Sequence, residues 1–223
     1  MRLKSGADVP TDVLLLGTGW LPSLAFCSPD LLATLGLPHD PATGTAEAAE
    51  KWARLEKEAD AKVLAAFPQL ADPPAAYFRK RNPTTPYRLY NGMVPLADAN
   101  DRSVVVVGHM LVANYFRVSE VQAVWATAYL DGEVELPGLE EREGEVALFA
   151  AWCRRRYLSS GERGNYMVFE MMGYTDKLLE ELGLRSHRRG WFRDYFGPGT
   201  MVDLRGVGEE YVRRFGRGVG KGG

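Results

Sequence analysis

The sequence predicts an α/β fold with few strands and a mostly helical C-terminal half. Three observations carry that expectation. Apolar runs without polar alternation occur at 12–18 and 103–108, the pattern of buried strands. Apolar residues recur at spacings of three and four between Thr45 and Phe67, the pattern of a helix with one buried face. From Ser119 onward, capping residues and glycine stops alternate with helix-forming stretches.

In chain order, Asp12–Thr18 opens as a strand, and Pro22, Pro29 and Pro38 then keep the chain in short pieces. Ser28 or Asp30 starts one helical turn through Leu35, with Gly36 as its stop. The Thr45–Phe67 helix places Trp52, Leu55, Ala59, Val63, Ala66 and Phe67 at its apolar positions, and Pro68 ends it. Four prolines between Ala71 and Pro86 mark a long loop. Tyr87–Tyr90 reads as a short strand before an Asn91-Gly92 turn. Four consecutive valines make Ser103–Gly108 a buried strand. "SEVQ" reads as a capping box at Ser119 and Gln122, opening a helix that runs to Leu130 and closes at Asp131-Gly132. Further helices are expected over Glu143–Tyr157, from a Thr175 cap to Gly183, and over Gly208–Phe215. Residues 1–216 read as a single domain and 217–223 as a flexible glycine-rich tail.

Bulk composition excludes several function classes. The 27 basic and 29 acidic side chains give a net charge of −2, so no positive field draws the chain to nucleic acid or anionic lipid. The valine run is far short of the ~20 residues of a membrane span, and Arg2–Asp12 is too polar for a signal peptide. A soluble, cytoplasmic protein is the expectation. Cys27 and Cys153 form no CxxC pair and read as buried thiols. His39, His109 and His187 do not stand at metal-ligand spacings, so no metal site is expected. No Gly-x-Ser-x-Gly elbow supports a hydrolase. The basic runs Arg154–Arg156 and Arg185–Arg189 read as solvated helix faces, with phosphate or carboxylate binding as the alternative.

"TDVLLLGTGWLP" tests the chain for a dinucleotide turn. Gly17 and Gly19 fit G-x-G-x-x-G, but Pro22 stands at the third glycine. No helix runs through both Pro22 and Pro29, and the acidic residue at the right separation, Asp40, lies in a turn. The stretch therefore reads as a strand and a tight turn.

"DVLLLGTGW" resembles the D-x-x-x-x-A-T-G-aromatic segment of flavin-containing monooxygenases, with Gly17 in place of the alanine. "VVVVGHMLVANYFRVSEVQAVWATAYLDGEVELP" resembles the last FAD-domain strand of that family and the helix bearing E-x-Q-x-x-W, here Glu120, Gln122 and Trp125. "MVFEMMGYTDKLLEELG" looks like the closing helical region of fungal members. The resemblance covers about Asp12 to Arg214. It implies an incomplete two-dinucleotide-binding-domain flavoprotein fold, the C-terminal part of such a protein, without the N-terminal FAD fingerprint. It also implies that the region after the valine run lies near the flavin ring.

The candidate site follows from that placement. His109 follows the valine run and is a candidate general acid or base, with a satisfied core histidine as the other reading of the same position. Tyr115 and Trp125 complete the catalytic set, with Asn114, Phe116, Ser119 and Gln122 as substrate-binding residues. Aromatic residues, dense from Tyr115 to Phe196, supply walls for an apolar pocket. The leading expectation is a non-redox cyclase of the Diels–Alder kind in secondary metabolism, acting on a hydrophobic small molecule and needing no cofactor. The alternative is part of an FAD- and NADPH-dependent monooxygenase completed by an N-terminal flavoprotein partner chain; a third is an inactive truncated module. A homodimer or such a partner would cover the interdomain surface.

Overall fold

The computed structural model describes residues 6–8, 10, 24–73, 83–97, 101–188, 190–197 and 200–216. The expected strand at 12–18, its Gly-x-Gly turn and the 217–223 tail lie outside the described residues.

Helix α1 (Pro29–Thr34) is capped by Ser28, whose Oγ accepts from the Leu31 amide at 3.2 Å. Helix α2 (Ala46–Ala66) is capped by Thr45 and stops before Pro68, as its sequence dictates. Strands β1 (Leu89–Tyr90) and β2 (Val94–Pro95) form an antiparallel hairpin. Its turn needs two left-handed residues, and Asn91 (φ 50°) and Gly92 (φ 62°) supply them. Then come α3 (Tyr115–Leu130), α4 (Leu139–Tyr157), α5 (Met171–Glu181), α6 (Trp191–Phe196) and α7 (Val207–Phe215). The structure is α/β and mostly helical, and this hairpin is the only sheet among the described residues.

Helices α2 and α4 lie side by side through small residues, Ala59 and Val63 against Ala147 and Ala151. Lys51 meets Glu143 at 2.6 Å, while Arg154 and Arg155 reach Asp60 at 3.3 and 3.0 Å. The pairing order makes the two helices run in the same direction. Two arginines of the 154–156 run, read as solvated, are thus interhelical ties. The main core sits between α3, α5, the hairpin and α7. Trp125 and Tyr129 pack there with Leu178, Leu179, Met93 and Val207. A 3₁₀ turn over Leu158–Arg163 folds the chain back onto α4 and delivers Asn165–Met167 to Leu111, where a single parallel bridge forms.

Several expectations are corrected. Residues 103–108 form no strand: a strand needs a neighbour's amides, and among the described residues the valines reach a neighbour through Val106 N–H to the Met93 carbonyl at 2.9 Å. Helix α3 begins a turn before Ser119, because Asn114 is its cap and accepts from the Arg117 amide at 3.1 Å. Ser119 is therefore interior, with a buried hydroxyl that makes no hydrogen bond among the described residues. Helix α4 starts at Leu139 rather than Glu143, after a Gly138 cap that offers no side-chain signal. Thr175 does not cap α5; it lies inside it, donating to the Met172 carbonyl at 3.0 Å and accepting from Arg117 Nε at 3.3 Å. Of the two thiols, Cys153 is buried and Cys27 only half-buried.

Asn114→Ala is expected to destabilise the protein by about 1 kcal/mol, since an Ncap acceptor is lost. A Ser119→Ala substitution should be close to neutral. Equal urea midpoints for the two variants would sink the assignment of the cap.

Candidate functional site

A cleft of about 330 Å³ opens between the hairpin, α4 and α5. The hairpin contributes Leu89, Asn91 and Gly92, and α4 contributes Glu145, Val146, Phe149 and Trp152. Met167 and Glu170 close one side, and Gly173, Tyr174 and Lys177 of α5 close the other. These positions fall together because α4 and α5 each present residues three or four apart along one face. Lys177 Nζ lies 2.7 Å from Glu145 and 3.7 Å from Glu181. Glu170 accepts from Trp152 Nε1 at 3.1 Å and from the Tyr157 hydroxyl. Burial, and then that bond to Glu170, push the Tyr157 phenol up to about 12.

A chain of hydrogen bonds ties the cleft to the Gly108–Tyr115 segment. The Gly108 amide donates to Gln122 Oε1 at 3.0 Å, and Gln122 Nε2 donates to the Tyr174 hydroxyl at 2.8 Å. Tyr174 donates to the Asn91 carbonyl at 2.8 Å. Asn91 Nδ2 and Trp125 Nε1 both donate to Glu181 Oε2, at 2.8 and 2.7 Å. Burial raises the pKa of Glu181, while Lys177, Trp125 and Asn91 pull the other way.

None of the sequence-proposed site residues lines the cleft. Trp125 and Gln122 are fully buried beneath it. Asn114 caps α3, and the Tyr115 hydroxyl donates to the Gly108 carbonyl. Tyr115 is 47% and Phe116 71% exposed, so with Leu111 they leave an apolar face open. His109 packs its ring against Tyr87 at 4.3 Å. The structure thus brings His109, Tyr115 and Gln122 to one segment and sets Trp125 apart in the core. Sequence reasoning missed Phe149, Glu145 and Lys177, which resemble ordinary helix residues, and Glu170, which precedes α5. The aromatic density that includes Trp152 and Tyr174 was the usable signal.

Both His109 ring nitrogens are buried and make no hydrogen bond among the described residues. Burial pushes the ring's pKa down to about 4. An unfolded histidine titrates near ~6.5, so between the two values the unfolded chain binds a proton that the folded one refuses. Stability is therefore full above pH ~6.5 and falls as pH drops towards 4, by on the order of 3 kcal/mol in all. His109→Leu should flatten that window. Parallel pH profiles of urea unfolding for the two proteins would refute the burial of a neutral ring.

The described residues do not by themselves fit a dinucleotide. None of the helices α1–α7 follows a described strand through a glycine turn, the arrangement that seats a pyrophosphate. No cluster of three or more potential metal ligands occurs among the described residues, and no described helix is long and apolar enough to cross a membrane.

No family model matches the chain, and no solved structure does. Curated proteins do. An FAD-dependent monooxygenase of Fusarium langsethiae is 31% identical over 100% of this chain and 39% of its own length. One from Pyrenophora dematioidea is 34% identical over 84% of the chain and 34% of its own length. One from Aspergillus sclerotiorum is 30% identical over 95% of the chain and 37% of its own length. The chain thus spans well under half the length of these relatives. It is homologous, over most or all of its own length, to part of the fungal FAD-dependent monooxygenases, the family its sequence motifs resemble.

Proposed function

We propose that the chain is the substrate-side portion of an FAD-dependent monooxygenase and holds an apolar small molecule in the cleft between α4 and α5. The observation that carries this reading is homology to FAD-dependent monooxygenases along 84–100% of the chain in the three relatives described. The described residues offer no strand–glycine–helix seat for a pyrophosphate, and in this reading the remainder of the relatives' length supplies the sites for FAD and NADPH. The exposed Leu111, Tyr115 and Phe116 offer an apolar face for that remainder. The chain's own residues orient the substrate and exclude water. Leu89, Val146, Phe149 and Met167 give the cleft its apolar walls, and the Gln122–Tyr174–Asn91 bonds fix the cleft relative to the His109–Tyr115 segment. The cyclase reading finds no support among relatives that are all named monooxygenases.

A graft tests the proposal. This chain replaces the matching 39% of the Fusarium langsethiae relative. The hybrid should purify yellow with bound flavin. A hybrid that unfolds cooperatively yet stays colourless, beside a yellow parent, overturns the reading.

A further inference from the structure

The polar groups of the cleft differ in what they leave open. Asn91 gives its amide to Glu181, and Lys177 stands between Glu145 and Glu181. Glu170 is held only by neutral donors among the described residues, Trp152 Nε1 and the Tyr157 hydroxyl, one to each oxygen. A carboxylate offers about four acceptor positions. Two of them take no donor among the described residues, beside a cleft otherwise walled by Leu89, Val146, Phe149 and Met167.

Charge narrows the ligand. A carboxylate ligand meets like charge at Glu170 and is disfavoured. Lys177 already matches Glu145, so a cation would meet Glu170 alone. An ammonium would gain that one pairing but must shed its hydration in an apolar-walled cleft, a cost that a buried ion pair often does not repay. A neutral hydroxyl escapes both penalties and gives Glu170 the charge-assisted hydrogen bond it has room for. At about 330 Å³ the cleft is at the small end of ligand pockets, sized for one ring with a short alkyl chain.

We propose that the cleft binds a neutral, apolar small molecule bearing a hydroxyl, a phenol or an alcohol, which donates to Glu170. This rests on the monooxygenase reading only in calling that molecule a substrate, since every residue invoked belongs to this chain.

Calorimetric titration of the chain without flavin tests it, using para-butylphenol, butylbenzene, para-butylbenzoate and para-butylbenzylammonium. The phenol should bind tightest, about tenfold ahead of butylbenzene. Glu170→Gln should keep the fold and most of the butylbenzene affinity while losing most of the phenol's advantage. Val146→Trp, which fills the cleft, should abolish binding of all four. Equal affinity for phenol and butylbenzene, a tighter benzoate or ammonium, or an undiminished phenol preference in Glu170→Gln each overturns the proposal, as does no binding to a cooperatively folded chain. A colourless graft with the phenol preference intact would overturn the monooxygenase reading alone. A yellow graft from a chain without that preference would overturn this inference alone.

Discussion

Gly161→Ala is expected to destabilise the protein by on the order of 3 kcal/mol or more, among the largest losses from adding a single methyl group. A Cβ at Gly161 would lie 1.8 Å from the carbonyl oxygen of Cys153 and 2.3 Å from its carbonyl carbon. Both are backbone atoms of α4, so no side-chain rotation relieves the clash. The 3₁₀ turn at 158–163 would have to lift off the helix. That turn carries the Arg163 carbonyl, which accepts from the Tyr87 amide at 2.9 Å. Next along the chain is Asn165, whose Nδ2 donates to the His109 carbonyl at 2.8 Å, and then Met167 in the cleft wall. Lifting the turn should therefore weaken cleft binding together with stability. Gly144→Ala is the control. Its Cβ meets nothing within 4 Å in the interior of α4. Helix propensity alone should make it stabilising by about 0.5–1 kcal/mol. Urea midpoints that move in the same direction for both variants would defeat the close-approach explanation.

The parts of this fold that were legible in the sequence are those where local chemistry and tertiary packing agree. For α2, the Thr45 cap, the three-and-four spacing and Pro68 all point to the same segment. The Asn91-Gly92 turn was legible for a similar reason, because only residues tolerant of positive φ suit it. The start of α3 was not. Ser119 and Gln122 imitate a capping box, but Gln122 is drawn inward by Gly108 and Tyr174, contacts that no local window contains. The valine run misled because β-branching expresses a preference for a sheet, not the presence of one. The cleft was least legible. Its walls come from the hairpin, α4, the 167–170 stretch and α5, and neither Glu145 nor Lys177 departs from normal helix chemistry. What makes Glu170 distinctive is the pair of neutral donors on it, a property of the fold.

Trp125→Ala is expected to lose about 3–5 kcal/mol, and its pairing with Trp125→Phe separates packing from direct chemistry. Trp125 is fully buried and stacks on Tyr129 with ring centres 5.7 Å apart and planes 9° from parallel. Removing the indole opens a cavity at the centre of the α3–α5 core. It also takes one of the donors from Glu181, a carboxylate already raised by burial. Trp125→Phe keeps most of the apolar volume and loses only the N–H, for about 1–3 kcal/mol. A residue that met the substrate would show a different ranking: the phenylalanine variant would lose ligand affinity out of proportion to its stability. From its place under the cleft, Trp125 should do the opposite. Asn91 and Lys177 still hold Glu181 in Trp125→Phe, so the hairpin keeps its position and cleft affinity should stay near that of the parent. In Trp125→Ala the hairpin loses its support, and stability and affinity should fall together. Unfolding and titration of the two variants read both quantities. A Phe variant as stable as the parent but unable to bind would move Trp125 from the core of the fold into the site itself.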